Sequence, residues 1–101
     1  MRRVVVLAEA AEDLDEARDF YDAQEFGLGS YCVTSLLADL ASLALYHGIH
    51  RRQHACFRML ASRFPFGIYY TEAEHETRVV AVLDLRQDPS WIRKQVSQRQ
   101  S

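Results

Sequence analysis

The side chains of this chain that are best suited to chemistry are histidines and arginines between residues 47 and 63. His47, His50 and His54 are spaced by three and four residues, which on a single helix would align their imidazoles as metal ligands. Gly48 interrupts a helix at this point, and no Cys, Asp or Glu completes a ligand set. We therefore expect no metal and no cofactor, and we expect His54 to lie in an exposed loop.

The segment "RMLASRFPFGIYY", residues 58–70, combines two arginines with alternating apolar side chains. The alternation from Phe64 to Tyr70 indicates a β-strand whose outer side carries Tyr69. The face that carries Arg58 could be a catalytic surface, a docking surface or the solvated side of a β-hairpin. Arg63 could pair with acidic side chains or contact a partner.

The net charge of −2 conceals an uneven distribution. Residues 1–50 contain three basic and nine acidic side chains, whereas residues 51–101 contain nine basic and five acidic ones. Such asymmetry is typical of a protein that meets an acidic or phosphate-bearing partner on one side.

Hydrophobic periodicity predicts seven elements that position these side chains. Period-two or β-branched patterns indicate strands over 3–8, 54–60, 63–70 and 77–86. Helical spacing and capping residues indicate helices over 9–27, 31–47 and 88–96. We expect one α+β domain, residues 1–101, in the order β-α-α-β-β-β-α, with a helical hairpin packed on an antiparallel sheet.

The last helix is too short to persist in water without packing, so we expect it to dock on the outer face of the sheet. Alternation along 77–86 predicts a core face of Val79, Ala81, Leu83 and Leu85. The outer face would then offer Cys56, Leu60, Val80 and Val82. Docking there would bury Trp91, Ile92 and Val96, and would place Arg93 and Lys94 beside Arg86.

From the sequence we expect neither a signal peptide nor a membrane-spanning helix. Its N-terminal apolar patch is shorter than the about 7–15 residues of a signal-peptide core, and no apolar run approaches the ~20 residues of a membrane helix. We therefore expect a cytoplasmic protein in which Cys32 and Cys56 are buried, reduced thiols.

Three blocks of sequence resemble the RelE/ParE family of bacterial toxins from toxin–antitoxin pairs. They are "EAAEDLDEARDFYDAQEFGLGSY", "FRMLASRFPFGIYY" and "VVAVLDLRQDPSWI", and together they cover nearly the whole chain. The resemblance implies one scaffold with two activities: RelE-like members cut mRNA on the ribosome, whereas ParE-like members inhibit DNA gyrase. The fold alone does not choose between these activities.

Metal-free RNA cleavage needs a base, an acid and cations around the phosphate. By resemblance, Arg58 and Arg86 match two of the basic positions of RelE-like enzymes, and His54 could serve as a base. Other positions depart from that pattern: Leu60 and Gly67 stand where basic residues are common, and Trp91 near the terminal tyrosine position exchanges no proton.

We therefore predict a ParE-like toxin that inhibits DNA gyrase and is neutralised by a cognate antitoxin. The resemblance implies a ribbon-helix-helix antitoxin of the ParD type and contact with operator DNA only through that antitoxin. The residues predicted to contact the target or antitoxin are Arg58, Arg63, Tyr69, Arg86, Trp91, Arg93 and Lys94. The alternatives are a RelE-like mRNA endoribonuclease and a degenerate member that binds antitoxin without toxicity.

Overall fold

A computed structural model of the chain describes residues 2–100, which form a five-stranded sheet with a helical hairpin and a C-terminal helix. The elements in chain order are β1 (Arg3–Val6), α1 (Ala8–Gln24), α2 (Leu28–Tyr46), β2 (Arg51–Gln53), β3 (Cys56–Leu60), β4 (Phe66–Glu72), β5 (Glu76–Asp84) and α3 (Pro89–Arg99). The predicted α+β class and the order of the main elements are confirmed. The short strand β2 is an addition that its charged sequence did not indicate.

The sheet has the strand order β1-β5-β4-β3-β2 and is mixed. Strands β2 to β5 pair antiparallel, which for β3, β4 and β5 is as predicted. The prediction of a wholly antiparallel sheet is wrong at one edge, where β1 pairs parallel with β5. The paired residues of β1 and β5 are 73 positions apart in the chain, so no local signal indicates the relative direction of these strands. Neighbouring strands of a hairpin, in contrast, are constrained to be antiparallel.

The helical hairpin packs on the inner face of the sheet and forms the larger of two apolar cores. Its buried residues from α1 and α2 are Ala10, Leu14, Ala17, Tyr21, Cys32, Leu36, Leu40 and Leu43. The two helices meet closely at Gly29, where a Cβ atom would lie 2.2 Å from the carbonyl oxygen of Arg18. The amide of Gly29 also donates to Asp22 Oδ1 at 2.7 Å. A glycine at this position therefore sets the spacing of the hairpin.

Strand β5 contains a β-bulge that changes which side chains face the core. Its partners on β4 jump from Tyr69↔Ala81 to Tyr70↔Val79, which leaves Val80 as the extra residue. The predicted alternation is therefore correct for Val79 and Val80 and wrong from Ala81 onward. Val82 joins the inner core, and the outer core receives Val80, Ala81, Leu83 and Leu85. An extra residue shifts a period-two pattern by one position, so every following side chain changes face.

Helix α3 covers the outer face of the sheet, as predicted, and forms the second core. Ile92 and Val96 contribute its buried side chains. They pack with Cys56, Tyr69, Val80, Ala81, Leu83 and Leu85. Two predicted contacts are wrong: Leu60 is exposed, and Val82 lies on the opposite face of the sheet because of the bulge.

Both cysteines are free and buried, which confirms the prediction of reduced thiols. Burial raises the pKa of Cys32 and of Cys56 to about 11. A thiol with so high a pKa is almost entirely protonated at pH 7 and is a poor nucleophile.

Helix α2 is the most apolar of the three helices. With 19 residues and a mean hydropathy of 1.5, it is long and apolar enough to cross a bilayer by length and composition alone. This corrects the expectation that no segment approaches a membrane span. One stripe of the helix packs on α1 and the sheet, while only 28% of the span is buried, so most of its apolar surface lies outside the core.

The β2–β3 turn contains two non-glycine residues in the left-handed region, His54 at φ 55° and Ala55 at φ 63°. Two-residue hairpin turns of this kind favour glycine or asparagine, because a Cβ atom is strained at positive φ. Ala55→Gly should therefore raise the free energy of unfolding by about 0.5–1 kcal/mol, after allowing for the greater entropy of glycine in the unfolded chain.

Gly48 provides the opposite control for this prediction. It has φ 80°, and no atom lies within 4 Å of the Cβ that alanine would add. Gly48→Ala should lower the free energy of unfolding by about 1 kcal/mol from backbone strain alone. Urea denaturation of both variants measures the two effects. If Ala55→Gly were destabilising, the assignment of strain to this turn would be wrong.

Candidate functional site

A pocket of about 540 Å³ lies where the β2–β3 turn and the start of α3 meet the outer face of the sheet. It is lined by Gln53, His54, Arg58, Tyr69, Leu85, Asp88, Pro89, Ser90, Ile92 and Arg93. The structure thus brings together four of the residues singled out in the sequence: His54, Arg58, Tyr69 and Arg93. These four residues and their neighbours form the candidate site, which we call the α3 pocket.

The start of α3 is fixed by its capping residues, and this positions one wall of the α3 pocket. The Asp88 carboxylate accepts hydrogen bonds from the amide and the hydroxyl of Ser90, both at 2.8 Å. Pro89 follows at the first helical position, where its missing N–H costs nothing. The cap that was predicted from the sequence is therefore confirmed, and it directs Arg93, one turn further on, toward the pocket.

Arg58 is half-buried on β3, and its Nε is buried without a hydrogen-bond partner among residues 2–100. Its guanidinium hydrogen-bonds the Tyr69 side chain; burial raises the pKa of Tyr69, and the positive charge of Arg58 and this hydrogen bond lower it in part. Neither Arg58 nor Arg93 forms an ion pair with a carboxylate of the described chain. The pocket is therefore lined by two guanidinium groups that form no ion pair within residues 2–100.

His54 stands at the mouth of the α3 pocket rather than in a solvated loop. Its ring stacks on Tyr69 with centroids 6.2 Å apart, and its carbonyl accepts a hydrogen bond from the Gln100 side chain at 3.0 Å. Burial lowers the pKa of His54, and the nearby charges of Arg93 and Arg58 lower it further. The imidazole is therefore mainly neutral at pH 7, because its pKa lies below the usual value of about 6.5.

Tyr69 was predicted to contact a partner, but its side chain is only 1% exposed. Helix α3 and the His54 ring cover it. Its part in the site is therefore to form the floor of the pocket and not to offer an exposed surface. The sequence alternation placed it correctly on the outer face of the sheet but gave no measure of how completely α3 would cover it.

Arg86 does not join the α3 pocket, and the prediction that Arg93 and Lys94 lie beside it is wrong for Arg93. Arg86 binds Asp84 at 2.7 Å and donates to the Tyr21 hydroxyl at 3.3 Å, which directs its side chain toward α1. Arg93 instead lines the pocket that contains Arg58. Lys94 is exposed on α3.

Trp91 is not buried by the docking of α3, which corrects a further prediction. Its side chain remains 41% exposed. It borders a smaller groove of about 280 Å³ between α1 and the end of β5, together with the exposed Phe20 of α1. Ile92 of α3 therefore faces the sheet, whereas Trp91 faces the groove between α1 and the end of β5.

Arg63 lies apart from the other candidates, against the start of α2. Its guanidinium donates to the Tyr31 hydroxyl at 2.9 Å, and the pKa of Arg63 is raised by that bond. This contact is with a phenol and not with the acidic side chains considered in the sequence. Arg63 and Tyr31 are both exposed and border a shallow groove.

The three spaced histidines are dispersed and have separate partners. His47 pairs with Glu72 at 3.3 Å, whereas His50 Nδ1 lies 2.5 Å from the Tyr70 hydroxyl. Among residues 2–100, no group of three or more His, Cys, Asp or Glu side chains is arranged to hold a metal ion.

Sequence reasoning missed one buried polar contact that supports the site. Asp13 of α1 accepts hydrogen bonds from Arg99 Nη1 at 2.6 Å and from the Val82 amide at 2.9 Å. Both partners lie far along the chain, and an acidic residue in a run of acids gives no indication that it is the buried one. The contact ties α3 to α1 and to the bulged strand.

Comparisons with known proteins support the fold that the sequence suggested. No protein-family model matches the chain, and no curated protein sequence matches it either. Among solved structures, a chain of the chromosomal ParDE TA (toxin–antitoxin) system from P. aeruginosa matches with a TM-score of 0.74 and 18% identity. The match covers 81% of this chain and 94% of that chain. The chain therefore has a ParE-like fold.

Proposed function

We propose that the protein is the ParE-like toxin of a two-component toxin–antitoxin pair. The observation that carries this proposal is the structural match to the ParDE system over 94% of the matched chain. The three sequence blocks that resemble the RelE/ParE family support it independently. The protein would act in the cytoplasm and would be held inactive by a small antitoxin, of the ribbon-helix-helix ParD type. It would reach operator DNA only through that antitoxin.

We further propose DNA gyrase as the target of the toxin. The basic second half of the chain supports contact with an acidic or DNA-bound partner, since Arg86, Arg93 and Lys94 are all exposed on or near α3. Trp91 adds a half-exposed aromatic ring to the same end of the molecule. Arg58 and Arg63 would contribute through the α3 pocket and the α2 edge respectively.

One observation favours the alternative of a ribosome-dependent mRNA endoribonuclease. A mainly neutral His54 lies near Arg58 and Arg93, as a base and two phosphate-binding cations would. Arg86, the other cation that the resemblance implied, is directed toward α1 and bound to Asp84. The α3 pocket therefore lacks one of the two basic side chains that the resemblance to RelE-like enzymes implied. For this reason we prefer gyrase inhibition as the proposed activity.

Two assays on the purified protein distinguish these functions. We expect the protein to block gyrase supercoiling and to leave ribosome-bound mRNA intact, and we expect Arg93→Ala with Lys94→Ala to weaken the gyrase effect. Codon-specific mRNA cleavage that disappears in an Arg58→Ala, Arg86→Ala double variant would overturn the proposal. A protein inactive in both assays that still binds the product of an adjacent antitoxin gene would be the degenerate member.

A further inference from the structure

The side chains that line the α3 pocket carry a net positive charge, and no carboxylate of residues 2–100 forms an ion pair with its arginines. Arg58 on β3 and Arg93 on α3 both line it, and Asp88 is the one carboxylate among its lining residues. The Asp88 carboxylate is already bound to Ser90 at the start of the helix. With His54 neutral, the lining holds two positive charges and one negative charge, so one positive charge is left without a counterion in the described chain.

One nitrogen of the Arg58 guanidinium, Nε, has no hydrogen-bond acceptor among the described residues, although the guanidinium does bond to Tyr69. This Nε is buried, yet it has no partner within residues 2–100. A buried donor of a charged group costs free energy unless it is bonded, so such groups almost always have a partner in proteins or their complexes. The described residues do not supply this partner, and an oxygen anion would satisfy both the donor and the charge.

The apolar residues that line the α3 pocket indicate the chemical character of the part of the ligand that does not bind the arginines. Tyr69, Leu85 and Ile92 supply apolar surface on the side of the pocket formed by the sheet and α3. The volume of about 540 Å³ lies within the range of about 300–1,000 Å³ that is typical of small-molecule sites. A single net positive charge beside an apolar wall matches a monoanion with an apolar substituent better than a dianion, which Asp88 would repel.

We propose that the α3 pocket binds a carboxylate that bears an apolar substituent, with the carboxylate bridging Arg58 and Arg93. Such a group is supplied either by a small organic acid or by the C-terminus of a peptide that ends in an apolar residue. The site does not depend on the proposed toxin function, because it is defined by the side chains of the α3 pocket and requires neither gyrase nor an antitoxin.

The pKa of His54 should differ between the free protein and the protein with a ligand in the α3 pocket. The charged and titratable groups that face it are Arg58 from β3, Arg93 and Asp88 from α3, and Tyr69 from β4. In the free protein, burial and the two arginines lower its pKa. A bound carboxylate offsets those positive charges and favours the imidazolium, so the pKa of His54 should rise on binding.

N-acetyl-leucine and N-acetyl-leucinamide provide matched probes that differ only in the charge of the terminal group. We expect N-acetyl-leucine to shift the His54 ring resonances saturably in NMR titrations and to raise the pKa of that ring. The amide should not bind. An acetylated tripeptide that ends in leucine forms the second arm: tighter binding than N-acetyl-leucine assigns the site to peptide C-termini, and weaker binding assigns it to free acids.

Arg58→Gln and Arg93→Gln should each weaken binding of N-acetyl-leucine by about tenfold, because each removes a charge-assisted hydrogen bond. Arg78→Gln is the matched control, since Arg78 is exposed on β5, pairs with Glu76 and does not line the pocket. The proposal fails if the amide binds as tightly as the acid, if inorganic phosphate binds more tightly than the acid, or if Arg78→Gln weakens binding as much as Arg58→Gln.

Discussion

Asp13→Ala should lower the free energy of unfolding by about 3–5 kcal/mol, the usual cost of removing one partner of a buried ion pair. Asp13 is a charged side chain that is only 6% exposed, and Arg99 binds it through two guanidinium nitrogens at 2.6 and 3.0 Å. Removing the carboxylate leaves a largely buried guanidinium without its main partner. It also leaves the Val82 amide, which donates to Asp13 at 2.9 Å, without an acceptor.

The position of this ion pair explains why the effect should be large. Val82 lies two residues beyond Val80, the extra residue of the bulge, and Arg99 also donates to the Val80 carbonyl at 3.2 Å. The two side chains therefore satisfy backbone groups at the place where the bulge disrupts the sheet ladder. They join α1, β5 and α3 at one point, so the loss should affect the whole domain.

Asp15→Ala is the matched control for this prediction. Asp15 lies on the same helix but is exposed, and it pairs with Arg18 at 3.3 Å on the surface. Such a pair contributes about 0–1 kcal/mol. Urea denaturation of both variants measures the difference. Equal losses would show that the buried Asp13–Arg99 contact does not stabilise the fold.

The bulge also shows how far the sequence predicts this fold. Period-two alternation placed Phe66, Ile68 and Tyr70 on the inner face correctly, because β4 is regular over that stretch. The same rule assigned the wrong faces to Ala81 and Val82. A bulge is a property of two paired strands, and the apolar run of β5 is compatible with either face since both faces are covered.

The candidate site was predictable in its members but not in its arrangement. Basic and aromatic side chains near the strands and the last helix marked Arg58, Tyr69 and Arg93 as candidates. Their assembly into one pocket depends on the rotation of α3 about its own axis. That rotation depends on whether Trp91 or Ile92 faces the sheet. The two residues are adjacent and both apolar, so the sequence does not indicate which of them is buried.

Ile92→Ala should lower the free energy of unfolding by about 2–5 kcal/mol, the range for truncating a buried isoleucine. Ile92 is 5% exposed in the core beneath α3. The helix has 11 residues, too few to be stable by itself, so its packing contacts hold it in place. Loosening α3 would also withdraw Arg93 from Arg58, so binding at the α3 pocket should weaken with stability.

The exposed neighbours on the same helix give the control for this last prediction. Arg93→Ala with Lys94→Ala should change the free energy of unfolding by no more than about 0.5 kcal/mol per substitution, because both side chains are exposed and alanine favours the helix. Thermal and urea denaturation measure the stability of Ile92→Ala and of the Arg93→Ala, Lys94→Ala double variant. Because every substituted position becomes alanine, a difference in stability between the two variants does not come from the helix propensity of the new residue. If the double variant lost as much stability as Ile92→Ala, exposed charge and not apolar burial would hold α3 on the sheet.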